Sequence, residues 1–229
     1  MEAEVILNTR KLDIGYGNTC IAKNLMLSLY AGEMVCLIGP NGCGKSTLIR
    51  TLVGLQDALG GKIEIKNKKL NKISLSEKSK LISWVLTDTM PTGSLKVSEI
   101  VEMGRFPYTN WFGKLSEKDK NIIDNAINAV HLSHKKDYRY NSLSDGEKQR
   151  TMIAKALAQD TPIIFLDEPT SHLDLPNTIE IMQLLRELAQ KTKKAILLST
   201  HELELTLQVA DKIWMMTSGK LKTGLPEDL

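Results

Sequence analysis

Several large protein classes are excluded by what this chain lacks. Only three cysteines occur among 229 residues, Cys20, Cys36 and Cys43. Their spacing fits neither a metal-ligand set nor a disulfide framework, so they read as free thiols in a reducing compartment. No apolar run approaches the roughly 18 residues that span a bilayer. The opening "MEAEVILNTRKL" has no basic segment followed by a long apolar stretch, so no signal peptide is read there. The expectation is a soluble chain that would act at a membrane only by docking on something that spans it. A formal net charge of +3 is too small to make nucleic acid the default partner. The one basic cluster, "KNKKLNK" (66–72), lacks nearby aromatics and reads as a solvated loop. No internal repeat is visible. What remains is an ordinary globular composition, 42% hydrophobic and 25% charged. The length is enough for one domain with a core of its own.

Short apolar runs alternate with helical patterns. "MVCLIG" (34–39), "ISWVL" (82–86), "PIIFLD" (162–167) and "AILLST" (195–200) read as strands buried on both faces. Strands of that kind, each followed by a helix, imply a parallel sheet. Helices are expected over 47–53, 176–190 and 202–210. In the second of these, Ile179, Met182, Leu185 and Leu188 share a face. The N-terminal third differs: "EVILNTRKLDIGYG", "LMLSLYAGE" and "KIEIKNKK" alternate like antiparallel strands, with Gly60–Gly61 as a turn. From Thr87 to Gln149 strand patterns vanish. There Ser116 and Asp119 form a capping box ahead of a helix whose apolar face is Ile122, Ile123, Ala126, Ile127 and Val130. The predicted fold class is α/β, a core with a mainly parallel sheet, a small N-terminal antiparallel β subdomain and a helical insertion. Residues 1–229 form a single domain, with 1–86 and 151–229 as core and 87–150 as helical subdomain.

"GPNGCGKST" carries the strongest chemical signal. Gly39, Pro40, Asn41, Gly42, Cys43, Gly44, Lys45, Ser46 and Thr47 follow a strand and open a helix, the setting a phosphate-binding loop requires, so the predicted α/β core is that of a P-loop NTPase. Glycines let the backbone N–H groups approach phosphate oxygens, and the helix N-terminus adds partial positive charge. Lys45 then reaches the β- and γ-phosphates of ATP, and Ser46 ligates Mg²⁺. Cys43 occupies a variable position and needs only to be small. "PIIFLDEP" ends a buried strand in two carboxylates. Asp167 suits the Mg²⁺ shell, and Glu168 suits a general base acting on water.

A second serine–glycine helix start, "NSLSDGEKQR" (141–150), is unexplained by one phosphate site. Together with the motifs above it resembles the nucleotide-binding subunit of ABC transporters, over essentially the whole chain. The resemblance implies that Ser144, Asp145, Gly146 and Glu147 form the signature that completes the partner's site in an ATP-bound homodimer. It implies Tyr16 as the aromatic stacked on adenine, Asp174 as part of the loop between the two sites, and His201 as a γ-phosphate contact that helps hold the attacking water. Asp145 and Glu147 depart from the family's glycine and glutamine, while Ser144 and Gly146 keep the pattern. Asp145 adds negative charge; if it points away from the phosphates, it supports the following helix. Thr87 stands where the family has a Mg²⁺-contacting glutamine. Its shorter hydroxyl, a water or Asp88 are the alternatives there.

"VSEIVEMGRFPYTNWFG" (97–113) resembles a stretch of importers of iron–siderophore complexes, haem and vitamin B12. The implied function is the ATP-hydrolysing subunit of such an importer, at the cytoplasmic face of the membrane. A separate permease would dock near residues 87–113, with no direct cargo or nucleic-acid binding. Phe106, Tyr108, Trp111 and Phe112 fall in a segment read as a loop. They either line a groove for a permease helix or fill the subdomain's small core, and Arg105 serves either purpose. The end, "SGKLKTGLPEDL", resembles a point where such subunits usually continue. A soluble ABC ATPase switch on ribosomes or DNA is the alternative. It requires a tandem domain, a basic arm or a long coiled coil, and none is visible. A small-molecule phosphotransferase would lack the signature at 143–146. A subunit that binds ATP without efficient turnover stays open because of Thr87 and Asp145.

Overall fold

The computed structural model describes residues 4–86, 94–109, 113–217 and 219–228. In chain order the elements are β1 (Val5–Tyr16), β2 (Thr19–Leu25), β3 (Ser28–Tyr30), β4 (Met34–Ile38), α1 (Lys45–Leu52), β5 (Gly60–Ile65), β6 (Lys68–Lys69), α2 (Leu75–Lys78), β7 (Ile82–Val85), α3 (Val97–Glu102), α4 (Glu117–Ala129), α5 (Asp145–Ala158), β8 (Ile163–Asp167), α6 (Leu175–Thr192), β9 (Ala195–Thr200), α7 (Leu203–Val209), β10 (Lys212–Thr217) and β11 (Lys220–Gly224). They form a five-stranded sheet, β2-β1-β5-β6 with β3 beside β1, and a six-stranded sheet ordered β11-β10-β4-β9-β8-β7. The first is antiparallel. The second is parallel except for the β10–β11 pair.

The parallel strands read as continuous apolar runs because each residue meets one of two cores. Successive side chains on a strand point to opposite faces. In β4, Met34, Cys36 and Ile38 join a core shared with the helical layer. Val35 and Leu37 join a second core under α1 and the antiparallel sheet. Strands β8 and β9 divide in the same way: Ile164, Leu166, Ile196 and Leu198 on the helical side, Ile163, Phe165, Ala195 and Leu197 on the α1 side. This parity decides where the side chains at the strand ends point. Burial in β4 also pushes the Cys36 thiol up to about 12, so that cysteine is a core residue without thiolate character at neutral pH.

The helices follow their sequence signals closely. Ser116 accepts from the Asp119 N–H, and Asp119 Oδ2 accepts from the Ser116 N–H at 2.9 Å, which completes the expected capping box of α4. Ile123, Ala126, Ile127 and Val130 are buried on its face. In α6 the buried stripe is Thr178, Ile181, Met182, Leu184, Leu185, Leu188 and Ala189, with Ile179 only half-buried at its edge. Helix α5 runs without a break through position 150, where the sequence placed a subdomain limit.

Two expectations are corrected, and two strands are added. Gly60 and Gly61 begin β5 rather than forming a turn. Gly61 has φ 82°, and a Cβ there would lie 2.2 Å from the Lys11 carbonyl oxygen, so the glycine accommodates a bulge opposite Lys11 (φ 48°). The segment Met103–Tyr108 is a 3₁₀ helix, not a loop. It is held by Arg105, whose buried guanidinium donates from Nε to Asp119 Oδ1 at 2.9 Å and from Nη1 to the Ala158 carbonyl at 2.7 Å, while stacking 4.0 Å from the Tyr108 ring centroid. Strands β10 and β11 were not expected. The run "KIWMM" was the signal for β10, which is central enough to bury Trp214 completely.

Candidate functional site

The carboxyl ends of three neighbouring parallel strands, β4, β9 and β8, converge on one point. The cross-strand pairs Ile38–Thr200 and Asp167–Ser199 bring those ends level. Crevices outside such ends are where open α/β sheets bind ligands.

The loop after β4 wraps tightly. A Cβ on Gly39 would lie 2.2 Å from the Met216 carbonyl oxygen. Gly44 (φ 111°) precedes α1, and a Cβ there would lie 2.5 Å from Ile21 Cγ2. Helix α1 has no side-chain cap and no acidic residue in its first turn, so nothing within it offsets the positive end of its dipole. Cys43 is partly buried, and its N–H donates to the Pro40 carbonyl at 3.3 Å. Lys45 is buried. Its Nζ donates to the Gly39 carbonyl at 2.8 Å and the Pro40 carbonyl at 3.4 Å, and stands 3.8 Å from Glu168 Oε1. One ammonium thus ties the loop to the carboxylate that ends the neighbouring motif.

Strand parity places Asp167 and Ser199 on the α1 side of the sheet. Ser46 Oγ donates to Asp167 Oδ1 at 3.3 Å, and Ser199 Oγ donates to the same oxygen at 2.6 Å. Ser46 and Asp167 are hard oxygen donors side by side at the end of the phosphate loop. Mg²⁺ is usually held by one or two such protein groups, with phosphate oxygens and waters filling the rest of its octahedron, so the donor set fits this ion. Among the described residues no cluster of three or more His, Cys, Asp or Glu forms a self-sufficient metal cage. Glu168 follows with φ 47°, left-handed backbone that a non-glycine residue rarely adopts.

Tyr16 is half-exposed beside the loop and fixed by Thr47, whose Oγ1 donates to its hydroxyl at 3.0 Å. His201 is the first residue after β9 and is exposed, with Nε2 3.5 Å from Glu202 Oε1. Its turn is held by the Glu202 N–H donating to Thr200 Oγ1 at 3.1 Å.

The signature segment opens α5. Ser144 caps it, accepting from the Glu147 N–H at 3.3 Å, while Glu147 Oε2 accepts from the Ser144 N–H at 3.1 Å. Glutamate in place of the family's glutamine therefore completes a capping box. The Lys135 ammonium, hydrogen-bonded to Glu147, holds that carboxyl below the usual range. Asp145 pairs with Lys148 at 3.0 Å in the first helical turn, where its charge suits the helix dipole. A Cβ on Gly146 would lie 2.5 Å from Asn177 Oδ1. Asn177 in turn donates from its N–H (3.1 Å) and from Nδ2 (2.6 Å) to Asp174 Oδ1, which caps α6. Gly146 thus has a packing role inside its own chain, and Asp174 is a helix cap. Asp145 and Glu168 line one cavity of about 250 Å³ with Lys148, Gln149, Pro169 and His172.

Thr87, Asp88, Trp111 and Phe112 lie outside the described residues. Phe106 is exposed, with 64% of its surface accessible, which separates it from the subdomain core. Tyr108 is partly exposed beside Arg105. Arg105 itself is buried and structural. Sequence reasoning missed Ser199, Thr200 and Asn177. For the first two the signal was a pair of hydroxyls closing an otherwise apolar strand.

The ABC transporter family model matches residues 22–171. An uncharacterized ABC transporter ATP-binding protein of Methanocaldococcus jannaschii is 38% identical over 225 residues, covering 98% of this chain and 78% of that protein. The iron(3+)-hydroxamate import ATP-binding protein of Bacillus subtilis is 38% identical over 198 residues, covering 86% of this chain and 73% of that protein. Further relatives are named for petrobactin import, ferric enterobactin transport and cobalamin import. An inward-facing ABC transporter described as of metal-chelate type superposes with a TM-score of 0.86 at 30% identity, covering 98% of this chain and 85% of that chain.

Proposed function

The chain belongs to the ABC transporter family of ATP-binding subunits, which hydrolyse ATP, and from that premise we propose that it powers an importer of an iron chelate, haem or a cobalamin-type compound. The observation that carries the site reading is the convergence of Lys45, Ser46, Asp167 and Glu168 at the ends of β4 and β8. The cargo class rests on the relatives' names. Loop 39–44 and the α1 N-terminus bind the phosphates, with Lys45 leaving its loop carbonyls for the β/γ oxygens. Tyr16 stacks on the adenine. Ser46 and Asp167 would hold Mg²⁺, with Thr87, a water or Asp88 as a further ligand; bound there, the ion would neutralise phosphate charge. Glu168 takes the proton of the attacking water, and His201 helps to hold that water and the γ-phosphate.

In this reading Ser144 and Gly146 face the γ-phosphate bound by a second copy, so ATP joins the homodimer, with Asp174 at the loop between the two sites. The dimer opens on hydrolysis, and a separate permease couples that cycle to transport. Phe106 and the surrounding residues 87–113 form the docking region, with the protein peripheral at the cytoplasmic face of the membrane. No helix among the described residues is long and apolar enough to cross a membrane itself. Affinity purification of the tagged chain from mildly solubilised native membranes with Mg·ATP tests this. One polytopic membrane protein should co-purify in stoichiometric amount. Ribosomes or DNA without a membrane protein would replace the reading with the soluble switch.

A further inference from the structure

The geometry points to Ser199 as a positioning residue for hydrolysis, one buried hydroxyl that fixes both the Mg²⁺-side carboxylate and the backbone of the general base. It rests on the roles given above to Asp167 and Glu168. A serine hydroxyl has one proton and two lone pairs. Here the proton goes to Asp167 Oδ1 at 2.6 Å, and a lone pair accepts the Glu168 N–H at 2.9 Å. Both bonds are made at once, so the rotor has no freedom left. Ser199 is completely buried, and its register partner across β8 and β9 is Asp167 itself.

The second bond matters because Glu168 is held at φ 47°. Such backbone persists only where its surroundings over-determine it. Pro169 follows and has no N–H to offer. The Ser199 bond therefore anchors the turn at the point where Asp167 must face Ser46 and Glu168 must face the nucleotide. A small misplacement of either carboxylate lowers the rate without weakening the phosphate loop's own grip. None of the direct nucleotide contacts assigned above uses Ser199, so the expected signature is on kcat rather than on KM.

The test uses the full chain. In Ser199→Ala, kcat should fall about tenfold or more, the size of one hydrogen bond to a charged group, with the KM for ATP within about twofold. Ser199→Thr keeps the hydroxyl and should restore most of the rate. If that variant fails to fold, Ser199→Cys, close in size and a weak donor, should give an intermediate kcat. A second readout needs neither metal nor nucleotide: with EDTA present, amide exchange at Glu168, followed by NMR, should speed about tenfold in Ser199→Ala while core amides of β4 stay protected. A Glu168 exchange rate and a kcat both within about twofold of wild type would overturn the inference. So would a loss of rate that merely tracks a loss of folded protein. If Glu168→Gln and Asp167→Asn themselves leave turnover intact, the site reading fails, and Ser199's role with it; if they abolish turnover and Ser199→Ala does not, only the Ser199 inference fails.

Discussion

Replacing Gly146 with alanine separates two reasons for a glycine at the signature. Inside the chain, the added Cβ would sit 2.5 Å from Asn177 Oδ1, closer than real contacts allow. Asn177 cannot swing away without losing its 2.6 Å bond to Asp174. Overpacking of this kind typically costs about 1–3 kcal/mol. Alanine in a helix returns about 0.5–1 kcal/mol relative to glycine. The net expectation for Gly146→Ala is a loss of about 1–2 kcal/mol, or roughly 2–8 °C in Tm for a domain of this size. Asn177→Ala removes the obstructing atom yet keeps the backbone N–H that Asp174 caps. The double variant should therefore regain most of the stability, with a coupling of about 1–3 kcal/mol in a double-mutant cycle read by urea denaturation. ATP hydrolysis should stay low in both, because the proposed approach of Gly146 to a second copy's γ-phosphate is blocked in either background. Simple additivity of the two stability changes would refute the packing argument. Recovery of turnover together with stability would refute the role in the second copy's site.

Other outcomes follow from the same geometry. Arg105→Met leaves Asp119 and the Ala158 carbonyl without their buried partner; chemical denaturation should show a loss of about 2–4 kcal/mol, with ATP affinity unchanged once folded. The Asp119 carboxyl is held below its ordinary range by the Ser116 hydroxyl and N–H, and then by Arg105. Its stabilisation is therefore complete above the unfolded value of about 4 and is lost as pH falls through the lower folded value. The stability gap between wild type and Asp119→Asn should be constant from pH 7 down to about 4 and close below it. Lys45→Ala removes the cation that bridges the phosphate loop and Glu168. Titration with a fluorescent ATP analogue should show affinity weakened about 10–100-fold. An affinity within about twofold would remove Lys45 from the phosphate site.

The phosphate loop was legible because its function depends on backbone and spacing: glycines at 39 and 44 are dictated by contacts that any side chain would violate. The buried strands were legible because burial on both faces leaves an uninterrupted apolar run. Less could be read where a residue's partner is far along the chain. Ser199 looked like an ordinary strand residue until the sheet order put it beside Asp167. Gly146 takes its partner in a second copy from the resemblance alone, while its packing against Asn177, 31 residues away, is announced by nothing in sequence. Gly60–Gly61 resembled a turn because bulge and turn glycines share the same composition, and only pairing with Lys11 distinguishes them. Arg105 was ambiguous for the same reason, its partners Asp119 and Ala158 lying 14 and 53 residues away.

The most direct measurement is ATP binding, turnover and mass of Glu168→Gln beside wild type. General-base catalysis is worth about 10²–10⁴ in rate. The variant should bind ATP as tightly as wild type, lose turnover by about that factor, and shift to twice its monomer mass in Mg·ATP. Hydrolysis at close to the wild-type rate would contradict the assignment of Glu168 and the site built around it.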